Sequence, residues 1–506
     1  MPAISLSDRP YDGLTWIEVA DRGGELGATR AGVSGETPSD VLWHYNLSAR
    51  HLDKLCERVD TFSVSGDGER LVVRHRDDVV VVPASHKVEE DDPAYIRVDL
   101  TRLRRTVDPR AEWRQMYDEN GRIMATHYWR EDMNGVDWDG VLKRYRPLVD
   151  LCHVVDDLHD ILWETVAELN TSHSYVSTPG AGGDSDMRAG LLGADVSSEA
   201  GGAKVVRVIP GESSDPHAWS PLRAAGVAIG DGDVIIAVDG RKIGVDGGLG
   251  ELLEGSAGRV VELTVRRGEE ERRVAVVPMA DEAALRYHDW VASRRRYVEE
   301  RSDGRLGYLH VPDMVSDGWA ELHRQIGEAT RHEGVIADVR FNHGGHTSQL
   351  VVERLARKVI GWDRSRWYAT AVTYPQNAVR GPIVMVTNQW AGSDGDIVGA
   401  VTQAMGYAKV IGERSWGGVV GIDGRFDLVD GTGVTQPRYA GWYGDYGWGV
   451  ENHGVDPDIV VTVSPEDWES ASDVQLDAAI AECLRQLDEK SAATPPELPG
   501  PAFGRC

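Results

Sequence analysis

The segment Ile383-Val-Met-Val-Thr-Asn-Gln-Trp-Ala-Gly-Ser-Asp-Gly-Asp396 decides the fold of the second half of the chain. Its first five residues are apolar or β-branched without interruption, which is typical of a strand buried on both faces. Small residues follow, and a helix is predicted over residues 394–405. Ser393 therefore lies where the free N–H groups of a helix terminus could stabilise an oxyanion when the serine attacks a carbonyl. The alternative is a serine that only caps the helix.

The sequence on both sides of this segment alternates between strands and helices. Apolar runs at residues 335–339 and 409–411 predict two more buried strands. Helices are predicted at residues 318–330, 347–359, 394–405 and 474–487. Continuous apolar strands separated by helices indicate an α/β layer structure, which we expect over residues 284–490.

The remaining sequence divides into regions of different character. Short alternating segments at residues 40–47, 61–65, 70–74 and 79–82 predict a β meander within residues 1–104, either a small β-cap or the remnant of a repeat array. Residues 105–185 have a helical pattern and contain a Gly-rich linker at 179–183, and residues 186–283 form a small β-rich module. The tail at 491–506 is rich in Pro, Ala and Gly and is predicted to be disordered. The predicted fold class is multidomain α+β.

Composition narrows the possible partners and location. The 506 residues carry a formal net charge of −28. Nucleic acid and anionic membranes are also negatively charged and would repel the protein, so neither is expected as a partner. The cysteines are Cys56, Cys152, Cys483 and Cys506, and their wide spacing predicts neither a disulfide framework nor a zinc site. The N-terminal residues lack the features of a signal peptide, and no apolar run approaches the ~20 residues that span a bilayer. We therefore expect a cytoplasmic protein.

A second candidate motif follows the strand at 335–339. In the turn Asn342-His-Gly-Gly-His346, the paired glycines Gly344 and Gly345 leave backbone amides accessible, which suits an oxyanion hole. The alternative is a plain strand-to-helix turn. His343 and His346 have HxxH spacing, but no carboxylate or thiolate ligand is near them in sequence, so no metal is expected.

Two further loops carry residues suited to proton transfer. His173, next to Ser172 in a loop of small polar residues, could act as a general base because its pKa is near neutral. Glu451 lies in a Gly-bounded loop after an aromatic stretch and could orient that base. The alternatives are a surface histidine and a surface acid. Together the loops supply a nucleophile, a base, an acid and two oxyanion donors, the set that serine acyl transfer requires without metal or cofactor.

In combination, these motifs resemble the C-terminal half of the tricorn protease family, serine peptidases related to the tail-specific C-terminal processing peptidases. The resemblance covers roughly residues 40–487. It also includes the motifs Trp113-Arg-Gln-Met-Tyr117, Gly135-Val-Asp-Trp138 and Arg144-Tyr-Arg-Pro147. It implies a partial β-propeller at 1–104, a helical core domain at 105–185, a PDZ-like domain at 186–283 and an α/β serine peptidase core at 284–490.

The resemblance also implies a role for each candidate residue. Ser393 would be the nucleophile and His173 the base, and Ser172 and Glu451 would position and polarise the imidazole. The N–H groups of Asp394 and of Gly344 or, preferably, Gly345 would form the oxyanion hole, and Asp363 would favour a basic P1 residue. The implied substrates are oligopeptides released by larger proteases, and the implied assembly is a homohexamer.

A comparison with the tail-specific peptidases favours the histidine as base. Those peptidases use a lysine about 25 residues after the serine, whereas residues 412–419 here are Gly-Glu-Arg-Ser-Trp-Gly-Gly-Val, without lysine. A nucleophile needs a base, and His173 is the available candidate.

An alternative function from a different class is peptide binding. The loop Leu191-Leu192-Gly193 resembles the PDZ loop whose backbone amides hold a C-terminal carboxylate. A catalytically impaired scaffold or a truncated tricorn fragment could use it. By the same resemblance, the chain would begin inside the second of two propellers, so gating of substrate access would be missing or supplied by another chain.

Overall fold

The computed structural model describes residues 13–18, 40–47, 49–76, 78–104, 106–178, 187–215, 217–470 and 472–498. The predicted linker at 179–183 and the last eight residues of the predicted tail lie outside these ranges. The chain forms two compact units, Met1–Val107 with Glu212–Trp219, and Asp108–Gly211 with Ser220–Cys506. Within the described ranges, no helix is long and apolar enough to cross a membrane.

The first unit contains two antiparallel sheets. Its strands are β1 (Gly13–Glu18), β2 (Val41–Asn46), β3 (His51–Glu57), β4 (Thr61–Val64), β5 (Arg70–His75), β6 (Asp78–Pro83) and β7 (Ile96–Val98). Strands β1, β2 and β3 form one sheet, and β4 to β7 form the other in sequence order. Alternate residues of β5 are buried, with Leu71 and Val73 facing the core and their neighbours exposed. The strands predicted from the sequence are present, while β1, β3 and β7 were not predicted.

The second unit begins with three helices. These are α1 (Pro109–His127), α2 (Trp138–Val149) and α3 (Val155–Ala167), followed by the short strand β8 (Val176–Ser177). The Asp108 side chain caps α1 by accepting hydrogen bonds from the N–H groups of Arg110 and Ala111, and Pro109 occupies the first turn, where no N–H is needed. The helices bury a common core that includes Met116 and Leu162. The loop after α3 carries His173.

The β-rich module follows. Its elements are β9 (Ala194–Glu199), β10 (Gly202–Val208), β11 (Val234–Val238), β12 (Arg241–Lys242), α4 (Leu249–Leu252), β13 (Val261–Arg267) and β14 (Glu270–Val276). The sheet order is β14-β13-β11-β10-β9, all antiparallel, with β12 paired to β11. Apolar residues such as Val205, Ile235 and Leu263 form its core.

The last part is a parallel α/β structure. Its elements are α5 (Ala283–Arg301), β15 (Leu306–His310), α6 (Ser316–Ala329), β16 (Gly334–Asp338), α7 (Ser348–Leu355), β17 (Gly361–Asp363), β18 (Val372–Tyr374), β19 (Ile383–Thr387), α8 (Asp394–Met405), β20 (Lys409–Gly412), β21 (Gly421–Asp423), β22 (Gly433–Val434), β23 (Gln436–Tyr439), β24 (Ile459–Val460), α9 (Pro465–Glu469) and α10 (Val474–Glu489). The main sheet is parallel with the order β15-β16-β19-β20-β24.

Helices cover both faces of this sheet. One core contains side chains of α6, α7 and α8, including Leu322, Val351 and Val398, and the other contains side chains of α5 and α10, including Val298 and Ile480. All five residues of β15, β16 and β19 are buried. The predicted multidomain α+β class with an α/β layer structure is therefore confirmed. Helix α5 was not predicted, and α7 is shorter than predicted.

Replacing Gly307 or Gly327 by alanine should change the stability of this domain in opposite directions. At Gly307 in β15, an added methyl would lie 2.3 Å from the carbonyl oxygen of Ala329, whereas at Gly327 in α6 it would meet nothing within 4 Å. We expect Gly307→Ala to destabilise the domain by about 1–3 kcal/mol because backbone atoms must move. Gly327→Ala should stabilise it by about 0.4–1 kcal/mol. Urea unfolding followed by circular dichroism measures both, and equal effects would contradict the close packing of β15 on α6.

Candidate active site

The topology of the sheet brings two predicted motifs together. The turn after β16 carries Gly344 and Gly345, and the loop after β19 carries Ser393. Because β16 and β19 are neighbouring parallel strands, these loops emerge at the same edge of the sheet. A methyl group added to Gly344 would lie 2.5 Å from the Ser393 Cβ. Only a glycine at 344 allows the turn to lie this close to the serine.

Ser393 has an unusual backbone for a serine. Its φ is 58° and its ψ is −121°, and its side chain makes no capping hydrogen bond although it precedes α8. Such a conformation costs on the order of 1–3 kcal/mol and is found mainly at functional sites. The hydroxyl is half-buried and not used as a helix cap, which leaves it available as a nucleophile.

Two backbone N–H groups beside Ser393 are available as donors. The Gly344 N–H donates to the Asn342 side-chain oxygen at 2.9 Å. In contrast, the N–H groups of Gly345 and Asp394 donate no hydrogen bond within the described residues. The Asp394 carboxylate is bound instead by the N–H and hydroxyl of Ser348. Of the two predicted glycines, Gly345 is therefore the one with a free amide.

His173 is buried, with 7% of its surface exposed. Its Nδ1 lies 3.5 Å from the Ser172 hydroxyl, and its ring meets the Trp416 ring edge-on at 5.6 Å. Burial lowers the pKa of His173 from its ordinary value of 6.5, while a backbone hydrogen bond at Val420 and the charge of Glu451 oppose that shift. The imidazole is therefore neutral at neutral pH, as a general base must be.

Glu451 contacts the loop of His173 through the backbone. One carboxylate oxygen accepts the Ser172 N–H at 2.8 Å, and the other accepts those of Val419 and Val420 at 2.7 and 2.9 Å. The carboxylate thereby ties the loop that carries His173 to residues 415–420, which we call the bridging segment. Charge-assisted bonds of this kind are among the stronger hydrogen bonds in proteins.

Sequence reasoning missed Trp416 in the bridging segment. Its backbone N–H donates to the Ala391 carbonyl at 2.9 Å, and a methyl on Gly392 would lie 2.8 Å from its ring. The same ring contacts His173. Trp416 thus links the serine loop to His173, although within the described residues no hydrogen bond joins the Ser393 hydroxyl to His173. The signal in the sequence was a tryptophan followed by two glycines.

Several predicted residues lie away from this cluster. Asp363 is exposed at the end of the hairpin strand β17, and none of its described contacts joins it to Ser393, so its role in P1 preference stays a prediction. His343 and His346 are exposed. Among the residues that the structure describes, no group of three or more His, Cys, Asp or Glu could hold a metal ion.

The predicted carboxylate loop of the β-rich module is largely engaged already. The Leu191 N–H donates to the Met279 carbonyl, and the Gly193 N–H donates to the Glu282 carboxylate at 3.1 Å. Only the Leu192 N–H has no acceptor among the described residues. A peptide carboxylate would therefore have to displace Glu282 to bind at Gly193.

One cavity lies on the periphery of the site. It has a volume of about 460 Å³, and its lining includes Trp129, Trp448 and Glu451. Neither Ser393 nor His173 lines it. The cavity therefore does not contain the point at which the serine would meet a carbonyl.

Family comparisons agree with this architecture. Residues 305–461 match the model of peptidase family S41, residues 190–281 match that of the tricorn protease PDZ domain, and residues 109–167 match that of the tricorn protease C1 domain. These matches define a class of protein that combines a family S41 peptidase domain with a PDZ domain. Because the PDZ and C1 models are those of tricorn proteases, they narrow the class to proteins of the tricorn type.

The similarity to individual proteins identifies the family to which the chain belongs. Tricorn protease homolog 1 of Streptomyces coelicolor is 54% identical over 493 residues, which is 96% of this chain and 46% of that protein. The tricorn protease of Thermoplasma acidophilum is 35% identical over 455 residues, or 90% of this chain and 42% of that protein. The crystal structure of the tricorn protease matches with a TM-score of 0.83 at 33% identity, over 94% of this chain and 46% of that one. The chain belongs to the tricorn protease family, and it spans less than half the length of these relatives.

The protonation state of His173 gives a prediction for pH. Since burial lowers its pKa below 6.5, the imidazole stays neutral until the pH falls below that value. We expect the rate of Ser393 labelling by a fluorophosphonate to be constant around neutral pH and to fall with a midpoint below pH 6.5. Labelling rates measured over a pH series test this. A midpoint above 6.5 would mean that His173 is not the desolvated base described here.

Proposed function

We propose that this protein is a serine-type endopeptidase that hydrolyses short peptides through an acyl-enzyme on Ser393. The observation that carries the proposal is the position of the uncapped Ser393 beside the free N–H groups of Gly345 and Asp394. The tricorn and family S41 relatives support the same activity. The scaffold alternative is not favoured, because the loop on which it depends is already engaged.

The proposed mechanism uses only side chains and amides of this chain. His173 removes the proton of the Ser393 hydroxyl as its oxygen attacks the peptide carbonyl. The N–H groups of Gly345 and Asp394 stabilise the resulting oxyanion. When the intermediate collapses, His173 gives its proton to the leaving amine, and water then hydrolyses the acyl-enzyme by the same steps. Ser172 and Glu451 hold the imidazole in position.

We further infer the context in which this chemistry operates. Oligopeptides released by larger proteases are the proposed substrates, and Asp363 would favour a basic P1 residue. The protein is proposed to be cytoplasmic, to need no cofactor, and to be divided into domains at 1–104, 105–185, 186–283 and 284–490, with a tail at 491–506. These points extend the resemblance to tricorn relatives.

Loss of either reacting side chain should abolish activity. We expect Ser393→Ala and His173→Ala each to lower peptide hydrolysis by on the order of 10⁴-fold and to abolish fluorophosphonate labelling, because the nucleophile and its base act as a unit. His323→Ala is a matched control, since this exposed histidine of the same domain hydrogen-bonds only within α6. Labelling followed by mass spectrometry identifies the modified residue. Well-folded wild-type protein that is not labelled would refute the peptidase proposal.

Assembly can be measured independently of activity. If the homohexamer implied by the family resemblance forms, light scattering after size-exclusion chromatography should give six chains per particle. Monomers at the highest concentration tested would argue against a hexamer without bearing on the chemistry at Ser393.

A further inference from the structure

One buried carboxylate near the site has no role in the mechanism above. Asp396, in the first turn of α8, is completely buried. Its carboxylate accepts hydrogen bonds from the Ser415 hydroxyl at 2.5 Å, the Gly417 N–H at 2.8 Å and the Gly418 N–H at 3.1 Å. All three donors belong to the bridging segment.

We propose that Asp396 is a positioning residue for the peptidase site, which holds the bridging segment so that Trp416 keeps the Ser393 loop and the His173 imidazole in register. The inference rests on the proposed function, because it concerns the geometry of that same reaction. It assigns Asp396 no contact with substrate.

Asp396 is linked to the nucleophile through the backbone of α8. The Asp396 N–H donates to the Ser393 carbonyl at 2.9 Å. Burial raises the pKa of Asp396 to about 6, and hydrogen bonds from Ser415 and from the amides of Gly417, Gly418 and Ser393 act in the opposite direction. The carboxylate thus belongs to a residue whose backbone is hydrogen-bonded to Ser393, and with a pKa of about 6 it is largely ionised at neutral pH.

The bridging segment is linked in turn to the proposed base, His173. Asp396 binds residues on both sides of Trp416, whose ring meets the His173 ring at an interplanar angle of 83°. Methyl groups on Gly392 and Gly418 would lie 2.8 and 2.2 Å from the tryptophan ring. The backbone of both segments therefore packs closely against one side of the ring, which is otherwise 47% exposed, and a shift of either segment moves the ring relative to the imidazole.

Different carboxylates hold the two ends of the bridging segment. Asp396 holds Ser415, Gly417 and Gly418, while Glu451 holds Val419 and Val420 together with the Ser172 N–H. One carboxylate thus belongs to the helix of the nucleophile, and the other binds the loop of the base. Removing the first should let the serine and the histidine move relative to each other while each retains its own local contacts.

A purely structural role for Asp396 makes a different prediction. A buried carboxylate that only stabilises the domain would, when changed, lower the folded fraction but not the rate per folded molecule. Asp233 provides the comparison, because it is also buried, with 2% exposed, and accepts the Gly230 N–H at 3.0 Å and the Arg267 guanidinium, far in sequence from the peptidase residues.

The experiment compares Asp396→Asn with Asp233→Asn in the full chain. For each variant, kcat and KM for a peptide substrate, the rate constant of fluorophosphonate labelling and the thermal unfolding midpoint are measured per folded molecule. We expect Asp396→Asn to lower kcat and the labelling rate by about 10–100-fold, with KM changed less than about threefold, because misplaced reacting groups lose rate rather than binding. Asp233→Asn should leave both rates within about twofold, whatever its effect on the unfolding midpoint.

A second variant keeps the test decisive if Asp396→Asn does not fold. Trp416→Ala removes the contact through which Asp396 is proposed to act, and it should lower kcat and the labelling rate by a similar factor. Where all variants fold, the double variant should lose no more than the larger single loss, because both changes break one linkage. An active wild type with undiminished rates in Asp396→Asn or Trp416→Ala would overturn the inference. A wild type that is neither labelled nor hydrolytic would overturn the proposed function instead.

Discussion

The candidate site depends on the three hydrogen bonds that the Glu451 carboxylate accepts. The Ser172 N–H that it binds lies 279 residues earlier in the chain, and the Val419 and Val420 amides lie about 30 residues earlier. Without this carboxylate, the loop after α3 and the bridging segment would expose unpaired amides to each other. Because buried amides without acceptors cost about 1–3 kcal/mol each, the two segments come together only around an acceptor with several lone pairs. The position of His173 follows from that contact.

The other half of the site depends on the sheet rather than on a single side chain. Parallel neighbours β16 and β19 end at the same edge, so the topology places the Gly344-Gly345 turn beside the Ser393 loop, and the Gly392 N–H then donates to the Asn342 carbonyl between them. Asn342 then completes the turn by accepting the Gly344 N–H and donating to the Val311 carbonyl. The proposed reacting groups thus come from a sheet edge and from a loop tied to it by a carboxylate.

Sequence patterns predicted the parts of this fold that depend on burial. The continuous apolar runs at β16 and β19 are strands because both faces of the sheet are covered, and the helices flanking them have wide apolar stripes. Helix α5 was missed because its buried residues, Leu285, Val291 and Val298, are widely spaced among charged ones. Strand β3 was missed because its sequence, His-Leu-Asp-Lys-Leu-Cys-Glu, buries only Leu55.

The site itself was only partly accessible to local reasoning. Ser393 and the pair Gly344-Gly345 follow the ends of buried strands, and this position in the sequence alone marks them as candidate functional residues. His173 and Glu451 are far apart in sequence; their residue types completed a possible acyl-transfer set, but only the family resemblance assigned each of them a specific role before the fold was known. The bridging segment carried no periodic pattern, because its conformation is determined by hydrogen bonds to Asp396 and Glu451 rather than by the burial of a face. Irregular segments of this kind become interpretable only once their acceptors are located.

The hydrogen bonds around the Ser393 loop explain why the fold can hold this serine in a strained conformation. Ser393 adopts its positive φ within a loop whose neighbours are fixed from three directions: by the Asn342 carbonyl on Gly392, by the Trp416 N–H on Ala391 and by helix α8 behind it. A single contact could relax by letting the loop move, whereas three contacts on consecutive residues cannot relax together. The strain therefore persists in the folded state, and it keeps the hydroxyl out of the capping position that a relaxed serine at this helix end would adopt.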